Sequence, residues 1–152
     1  METLLNITIY LPLLGLAGLL FVKSEEAVRW IALLTTTVTF AVSLPLMFNF
    51  EVASSDMAQY VTESGRLVFN ADIRYIVGLD GLSLLLFMLT TFFGPIVVLS
   101  AWSSVKKHVA GFYAMLLLLQ TGSLGVFAAL DLVVFYVFFE LSLIPMYFLI
   151  GI

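Results

Sequence analysis

Residues 131–152 read DLVVFYVFFELSLIPMYFLIGI, an apolar run that holds one charged residue, Glu140, in its interior. A helix of about 20 residues, rising about 1.5 Å per residue, spans the roughly 30 Å hydrocarbon layer of a bilayer. Insertion scales put the cost of an acidic residue at the centre of such a helix at about 2.5–3.5 kcal/mol. A charge this costly is usually retained because it is used, so Glu140 is the main candidate for a functional residue.

Four other stretches of similar length contain no Asp, Glu, Lys or Arg. Each has 20 to 24 residues, and they are Thr3–Val22, Trp30–Phe50, Gly81–Ser104 and Ala110–Leu130. The chain is 62% hydrophobic and 11% charged, whereas soluble domains average about 25% charged residues. The sequence therefore predicts an all-α fold, a polytopic transmembrane bundle of about five helices. We place them near residues 3–22, 28–50, 79–102, 110–130 and 132–152, in a single membrane domain.

The positive charges of the connections predict the orientation of this bundle. Lys23 and Arg29 bracket the first connection, and Lys106 and Lys107 lie in the third. Because short cytoplasmic loops carry the excess of Lys and Arg, we expect the N-terminus outside and the connection 51–78 on the extracytoplasmic side. That connection becomes more apolar after residue 66, where a short hairpin or an interfacial segment is possible. Asp80, at its end, is predicted to cap the third helix.

The sequence gives no support for a cofactor or metal site. The chain has no cysteine, which excludes disulfides and cysteine-ligated metal centres. Its one histidine, His108, follows Lys106 and Lys107 in a short loop, which favours a solvated side chain over a metal ligand. No GxxxxGK[ST], GxGxxG or HExxH pattern is present. We expect the bilayer and other membrane proteins as partners, and no nucleic acid.

Three residues are predicted to support Glu140. Asp131 marks a tight turn, so the last two helices form an antiparallel pair in which Gln120 and Glu140 lie at similar depth. Gln120, with Thr121 or Ser123, is therefore a possible hydrogen-bond partner of Glu140, although contact of Gln120 with a different helix is an equal alternative. Pro145 removes the hydrogen bond to the carbonyl of Leu141, which loosens the backbone next to Glu140.

Three segments resemble the M subunit of bacterial respiratory complex I, which is equivalent to subunit 4 of the mitochondrial and chloroplast enzymes. They are residues 77–86 (VGLDGLSLLL), residues 112–122 (FYAMLLLLQTG) and residues 125–152, and the most specific motif is FFELSLIPMY at 138–147. The resemblance implies an antiporter-like proton-channel subunit in which Glu140 carries protons, with a lysine partner on a later helix. It also implies that NADH, FMN, iron–sulfur clusters and quinone bind to partner subunits, and that neighbouring antiporter-like subunits are among the membrane partners.

Two other functions stay open at this point. One is a subunit of a Mrp-type cation/proton antiporter, and the other is a structural subunit in which Glu140 only anchors helices. The family has thirteen or fourteen helices, so we expect this chain to be the N-terminal portion of a longer or split subunit. The resemblance places it in a bacterial plasma membrane.

Overall fold

A computed structural model describes residues 2–51, 58–68 and 71–151, with the backbone alone at residues 2, 64–68 and 71–74. The elements are α1 (Glu2–Leu19), α2 (Glu25–Phe48), β1 (Gln59–Val68), β2 (Ala71–Leu79), α3 (Gly81–Ala101), α4 (Val109–Ala128) and α5 (Leu132–Gly151). By length and composition, α2, α3, α4 and α5 can each cross a membrane, whereas the apolar part of α1, Thr3–Leu19, is shorter. The predicted all-α membrane helix bundle is confirmed, with a β-hairpin inserted between α2 and α3.

Two helix ends differ from the predicted ones for local reasons. α2 begins three residues earlier than expected, because Glu25 and Glu26 occupy its first turn, where carboxylates interact favourably with the positive end of the helix dipole. α1 ends at Leu19, three residues earlier than expected. The next three N–H groups donate to carbonyls three residues back, which is the tighter turn in which helices often end.

α4 lies at the centre of the bundle, where it packs against each of the other four helices. Small residues allow these close contacts. A methyl group added at Gly122 would lie 3.0 Å from the backbone of Ser142 on α5, and one added at Gly125 would overlap the ring of Phe138. α1 and α2 also approach closely at a glycine, because a methyl group added at Gly15 of α1 would overlap the side chain of Thr35 of α2. Close approach of apolar helices at small residues is the usual basis of helix association in membranes.

The hairpin covers one end of the bundle. Its strands pair antiparallel, with Gln59 opposite Leu79 and Thr62 opposite Val77. Val77 also forms a bridge with Ala129, and Leu130 N–H donates to the carbonyl of Ile76 at 2.9 Å, so β2 is joined to the turn between α4 and α5. Of the two structures considered possible for this connection, the hairpin is the one formed.

The opposite end of the bundle carries the basic connections. Buried residues at the ends of four helices, Leu19, Val28, Ala101 and Val109, share one core cluster. Arg29 donates from its guanidinium to the carbonyl of Val105 at 3.1 Å, which ties the start of α2 to the connection between α3 and α4. The two connections that carry Lys23, Lys106 and Lys107 therefore lie on the same side, as the predicted orientation requires.

Asp80 caps α3 in a reciprocal arrangement with Ser83. The backbone N–H of Ser83 donates to a carboxylate oxygen of Asp80 at 2.7 Å, and the N–H of Asp80 donates to the Ser83 hydroxyl at 2.9 Å. These hydrogen bonds, first that from the Ser83 backbone and then that of its hydroxyl, hold the pKa of Asp80 below its ordinary value of 3.8. The predicted cap is formed, and its ionised state is the stabilised one.

The cap gives a pH-dependent prediction. A carboxyl whose pKa is lower in the folded state stabilises the fold above its unfolded pKa, and this stabilisation is lost as pH falls through the folded pKa. Asp80→Asn keeps a capping side chain that does not titrate. Its folded state should therefore be as stable as that of the wild type near neutral pH and more stable below about pH 4. Asp80→Ala should lose about 1 kcal/mol at neutral pH. Thermal unfolding across pH measures both effects; equal acid sensitivity of the wild type and Asp80→Asn would refute the assignment.

The glycine contact between α4 and α5 gives a second prediction. Gly125→Ala should destabilise the protein by about 1–3 kcal/mol, because the Phe138 ring must move to admit the methyl group. Gly111→Ala is the matched control on the same helix, since nothing lies within 4 Å of the added methyl group. It should be neutral or stabilising by up to about 1 kcal/mol through helix propensity. The comparison is made by thermal unfolding in detergent, and equal melting of the two variants would show that the contact is not tight.

Candidate functional site

Glu140 lies near the middle of α5 on a face that the described residues do not cover. It is the ninth residue of the helix, about 12 Å along its axis from the start. Its side chain is exposed. The buried residues of α5 are Val134, Phe138, Ser142 and Pro145. At 100° per residue these four lie on the side of α5 opposite Glu140, so α4 packs on one side and Glu140 points to the other.

Gln120 lies on the other side of the helix pair. It is buried at 7% exposure, its amide nitrogen lies next to Gly94 of α3, and it shares a cavity with Thr36 of α2. α5 instead packs on α4 at Gly122 and Gly125, which at 100° per residue are roughly opposite Gln120.

The hypothesis that Gln120 hydrogen-bonds Glu140 is therefore corrected, and the alternative contact with a different helix is the one formed. The physical reason is that two helices approach most closely where side chains are absent. In α4 the residues without side chains are Gly122 and Gly125, so the side of α4 that carries them faces α5 and the side with Gln120 does not. Ser123 lines the same cavity as Gln120, and Thr121 is fully buried with no hydrogen-bond partner among the described residues.

Asp131 directly precedes the first residue of α5, and Pro145 lies within this helix. The carboxylate of Asp131 accepts from the N–H groups of Val133 at 2.8 Å and Val134 at 3.3 Å, so Asp131 caps the N-terminus of the helix. Pro145 is buried on the α4 side, and the helix continues through it from Leu132 to Gly151. Asp131 thus caps the helix that carries Glu140, and the supporting roles of Asp131 and Pro145 at Glu140 itself stay predictions.

A hydrogen-bonded chain between α1 and the hairpin was not anticipated from the sequence. Tyr10 donates to the Tyr75 hydroxyl at 3.0 Å, Tyr75 donates to the amide oxygen of Asn6 at 2.8 Å, and the Asn6 amide donates to Thr62 at 2.8 Å. Burial, and then the hydrogen bond with Tyr10, raises the pKa of Tyr75, so this hydroxyl stays protonated. The sequence signal was the pair Asn6 and Tyr10, two polar groups one helical turn apart in an apolar helix.

Tyr75 tests how the hairpin is held on the bundle. Tyr75→Phe removes the hydrogen bonds that the Tyr75 hydroxyl makes with the half-buried Asn6 and with Tyr10, which should cost about 1 kcal/mol or somewhat more. Tyr136→Phe is the control, because Tyr136 is an exposed tyrosine of α5. Thermal unfolding of the two variants gives the comparison, and a Tyr75→Phe variant as stable as Tyr136→Phe would show that the chain does not hold the hairpin.

The part of the chain that the structure describes contains no group of three or more His, Cys, Asp or Glu side chains placed to hold a metal ion. Within the described parts of the spanning helices, Glu140 is the carboxyl that lies away from the helix ends, since Glu25 and Glu26 of α2 lie in its first turn.

No protein-family model matches the chain. Its sequence is 41% identical over 158 aligned residues to NADH-quinone oxidoreductase subunit M of Rhodobacter capsulatus, covering 100% of this chain and 30% of that relative. It is 31% identical over 146 residues to F(420)H(2) dehydrogenase subunit M of Methanosarcina mazei, covering 96% of this chain and 29% of the relative. The fold is similar to a chain of respiratory complex I from Thermus thermophilus, with a TM-score of 0.71, 30% identity and coverage of 93% of this chain and 27% of that one.

These comparisons confirm the resemblance predicted from the motifs. The homologues of this chain are M-type subunits, and the chain spans about 30% of the length of the curated relatives it matches.

Proposed function

We propose that this chain is part of an M-type, proton-translocating membrane subunit of an NADH:quinone oxidoreductase, and that Glu140 is the group that takes up and releases the proton. The homology to subunit M supports the first statement. The second rests on one observation, the position of a lone carboxyl in the middle of α5 on the face away from α4.

The uncovered face of α5 supports a contact with further helices. Around Glu140, the side chains of Tyr136, Val137, Leu143 and Ile144 are exposed as well. An ionised carboxylate facing lipid at mid-depth would cost several kcal/mol, and the cost falls where a polar or charged partner meets it. We propose that helices outside this chain cover this face and supply that partner, which by the family resemblance is a lysine.

In this proposal, proton transfer at Glu140 depends on that partner. Desolvation raises the pKa of a carboxyl, and a nearby cation lowers it. A partner that moves or changes its charge shifts the balance between these two effects, so the carboxyl binds a proton in one state and releases it in the other. The homologues include M subunits named for two different enzymes, NADH-quinone oxidoreductase and F(420)H(2) dehydrogenase. This supports a proton step that does not depend on the electron donor.

The redox chemistry belongs to partner subunits in this proposal. By the resemblance to subunit M, NADH, FMN, iron–sulfur clusters and quinone would bind there. This chain would contribute the proton-carrying group, and its coupling to electron transfer would be electrostatic or conformational.

Substitution of Glu140 separates transport from assembly. Glu140→Gln keeps the size and hydrogen-bonding capacity of the side chain but cannot ionise, so the complex should assemble and lose most of its proton pumping. Glu26→Gln is the control, because Glu26 is an exposed carboxyl in the first turn of α2. The measurements are the amount of intact complex on a native gel and the quinone-dependent proton uptake of membrane vesicles.

Each outcome of this experiment decides between functions. Retained pumping in an intact Glu140→Gln complex would refute the transport role of Glu140. Loss of the complex itself, with Glu26→Gln unaffected, would favour a structural role in which Glu140 anchors neighbouring helices.

A further inference from the structure

A cavity of about 320 Å³ lies between α2, α3 and α4 and is open on one side, where Phe93 is exposed. Its polar lining comes from Thr36, Thr90, Gln120 and Ser123, and the rest of its wall is apolar, including Phe93 and Leu116. Gln120 is the twelfth residue of α4 and Thr36 the twelfth of α2, so the cavity lies near the mid-depth of both helices. It is on the side of α4 away from α5 and Glu140.

The carboxamide of Gln120 has no hydrogen bond in this cavity. The side chain is 93% buried, and neither its Nε2 nor its Oε1 has a partner among the described residues. Leaving a buried donor or acceptor unpaired costs about 1–3 kcal/mol, and a hydrocarbon layer offers no bulk water to relieve that cost. The amide needs a ligand that both accepts from Nε2 and donates to Oε1.

We propose that this cavity is a hydration site, in which a small cluster of water molecules binds the Gln120 carboxamide. Water supplies both the acceptor and the donor that the amide needs, whereas a lipid chain would fill the apolar wall and leave the amide unpaired. A water molecule takes about 30 Å³ in the liquid and needs two to four polar partners, so the volume is sufficient and the polar groups limit the cluster to a few molecules.

The hydroxyl groups of the cavity complete the site. Thr36 donates to the carbonyl of Ala32 at 2.9 Å, and Thr90 donates to that of Leu86 at 2.9 Å. Each hydroxyl oxygen therefore keeps lone pairs that can accept from water. No ionisable side chain is among the described residues that line the cavity. The bound water therefore solvates α4 on its α2 and α3 side, in a place separate from Glu140.

The test uses the reactivity of a single cysteine in the complete subunit within its complex. Any cysteine elsewhere in that subunit is first replaced by serine; this chain has none. Ser123→Cys puts a thiol into the cavity, and Leu124→Cys puts one at the next position, which is fully buried in the core. N-ethylmaleimide adds to the thiolate, which forms only where water accepts its proton and solvates its charge.

Ser123→Cys should be labelled at least about tenfold faster than Leu124→Cys, the effect of about one unit of thiol pKa. Adding Gln120→Leu to Ser123→Cys should lower the rate to that of Leu124→Cys, since the group that holds the water is then gone. If Gln120→Leu prevents assembly, Gln120→Met serves as the second variant.

Equal labelling of Ser123→Cys and Leu124→Cys would overturn the proposal, and so would fast labelling of Ser123→Cys that Gln120→Leu or Gln120→Met leaves unchanged. The labelling rate does not depend on proton pumping, so failure here is distinguishable from failure of the role proposed for Glu140.

Discussion

The close contact between α4 and α5 determines the directions in which Glu140 and Gln120 point. Gly122 and Gly125 have no side chains, which lets Ser142 and Phe138 of α5 approach the α4 backbone. Because a helix is rigid, fixing this contact also fixes the direction of each other side chain on the two helices. Glu140 then points away from the pair, and Gln120 points into the interior between α2 and α3. The absence of two side chains thus separates the ionisable group from the neutral polar one.

α4 occupies the centre of the bundle because its surface is adapted to four neighbours. On one side its glycines admit α5, and on another Gln120 and Ser123 face the cavity between α2 and α3. At one end the bridge between Ala129 and Val77 attaches the hairpin, which the chain of Tyr10, Tyr75, Asn6 and Thr62 also holds to α1. α5 has the fewest such attachments. Its uncovered face is therefore the surface at which further helices are expected to contact this chain.

The sequence predicted the number of helices because uncharged runs of about 20 residues have few alternatives to a membrane helix. It predicted the Asp80 cap because that carboxylate directly precedes a long apolar run. It did not predict which side of α4 faces α5. Both helices are apolar on all sides, so no amphipathic pattern indicates a buried face. Counting residues along each helix places Gln120 and Glu140 at a similar depth. It does not determine which side of α4 or α5 each residue lies on. The informative signal was the pair of glycines three residues apart, Gly122 and Gly125.

If Glu140 takes up and releases the proton, its carboxyl changes protonation during turnover. Infrared difference spectra of the complete complex, recorded between the resting and the NADH-driven states with isotope-labelled glutamate, measure this directly. A band of a protonated glutamate carboxyl should change between the two states, and this change should disappear in Glu140→Gln and persist in Glu26→Gln. A spectrum in which Glu140→Gln leaves every glutamate band unchanged would contradict a change of protonation at Glu140.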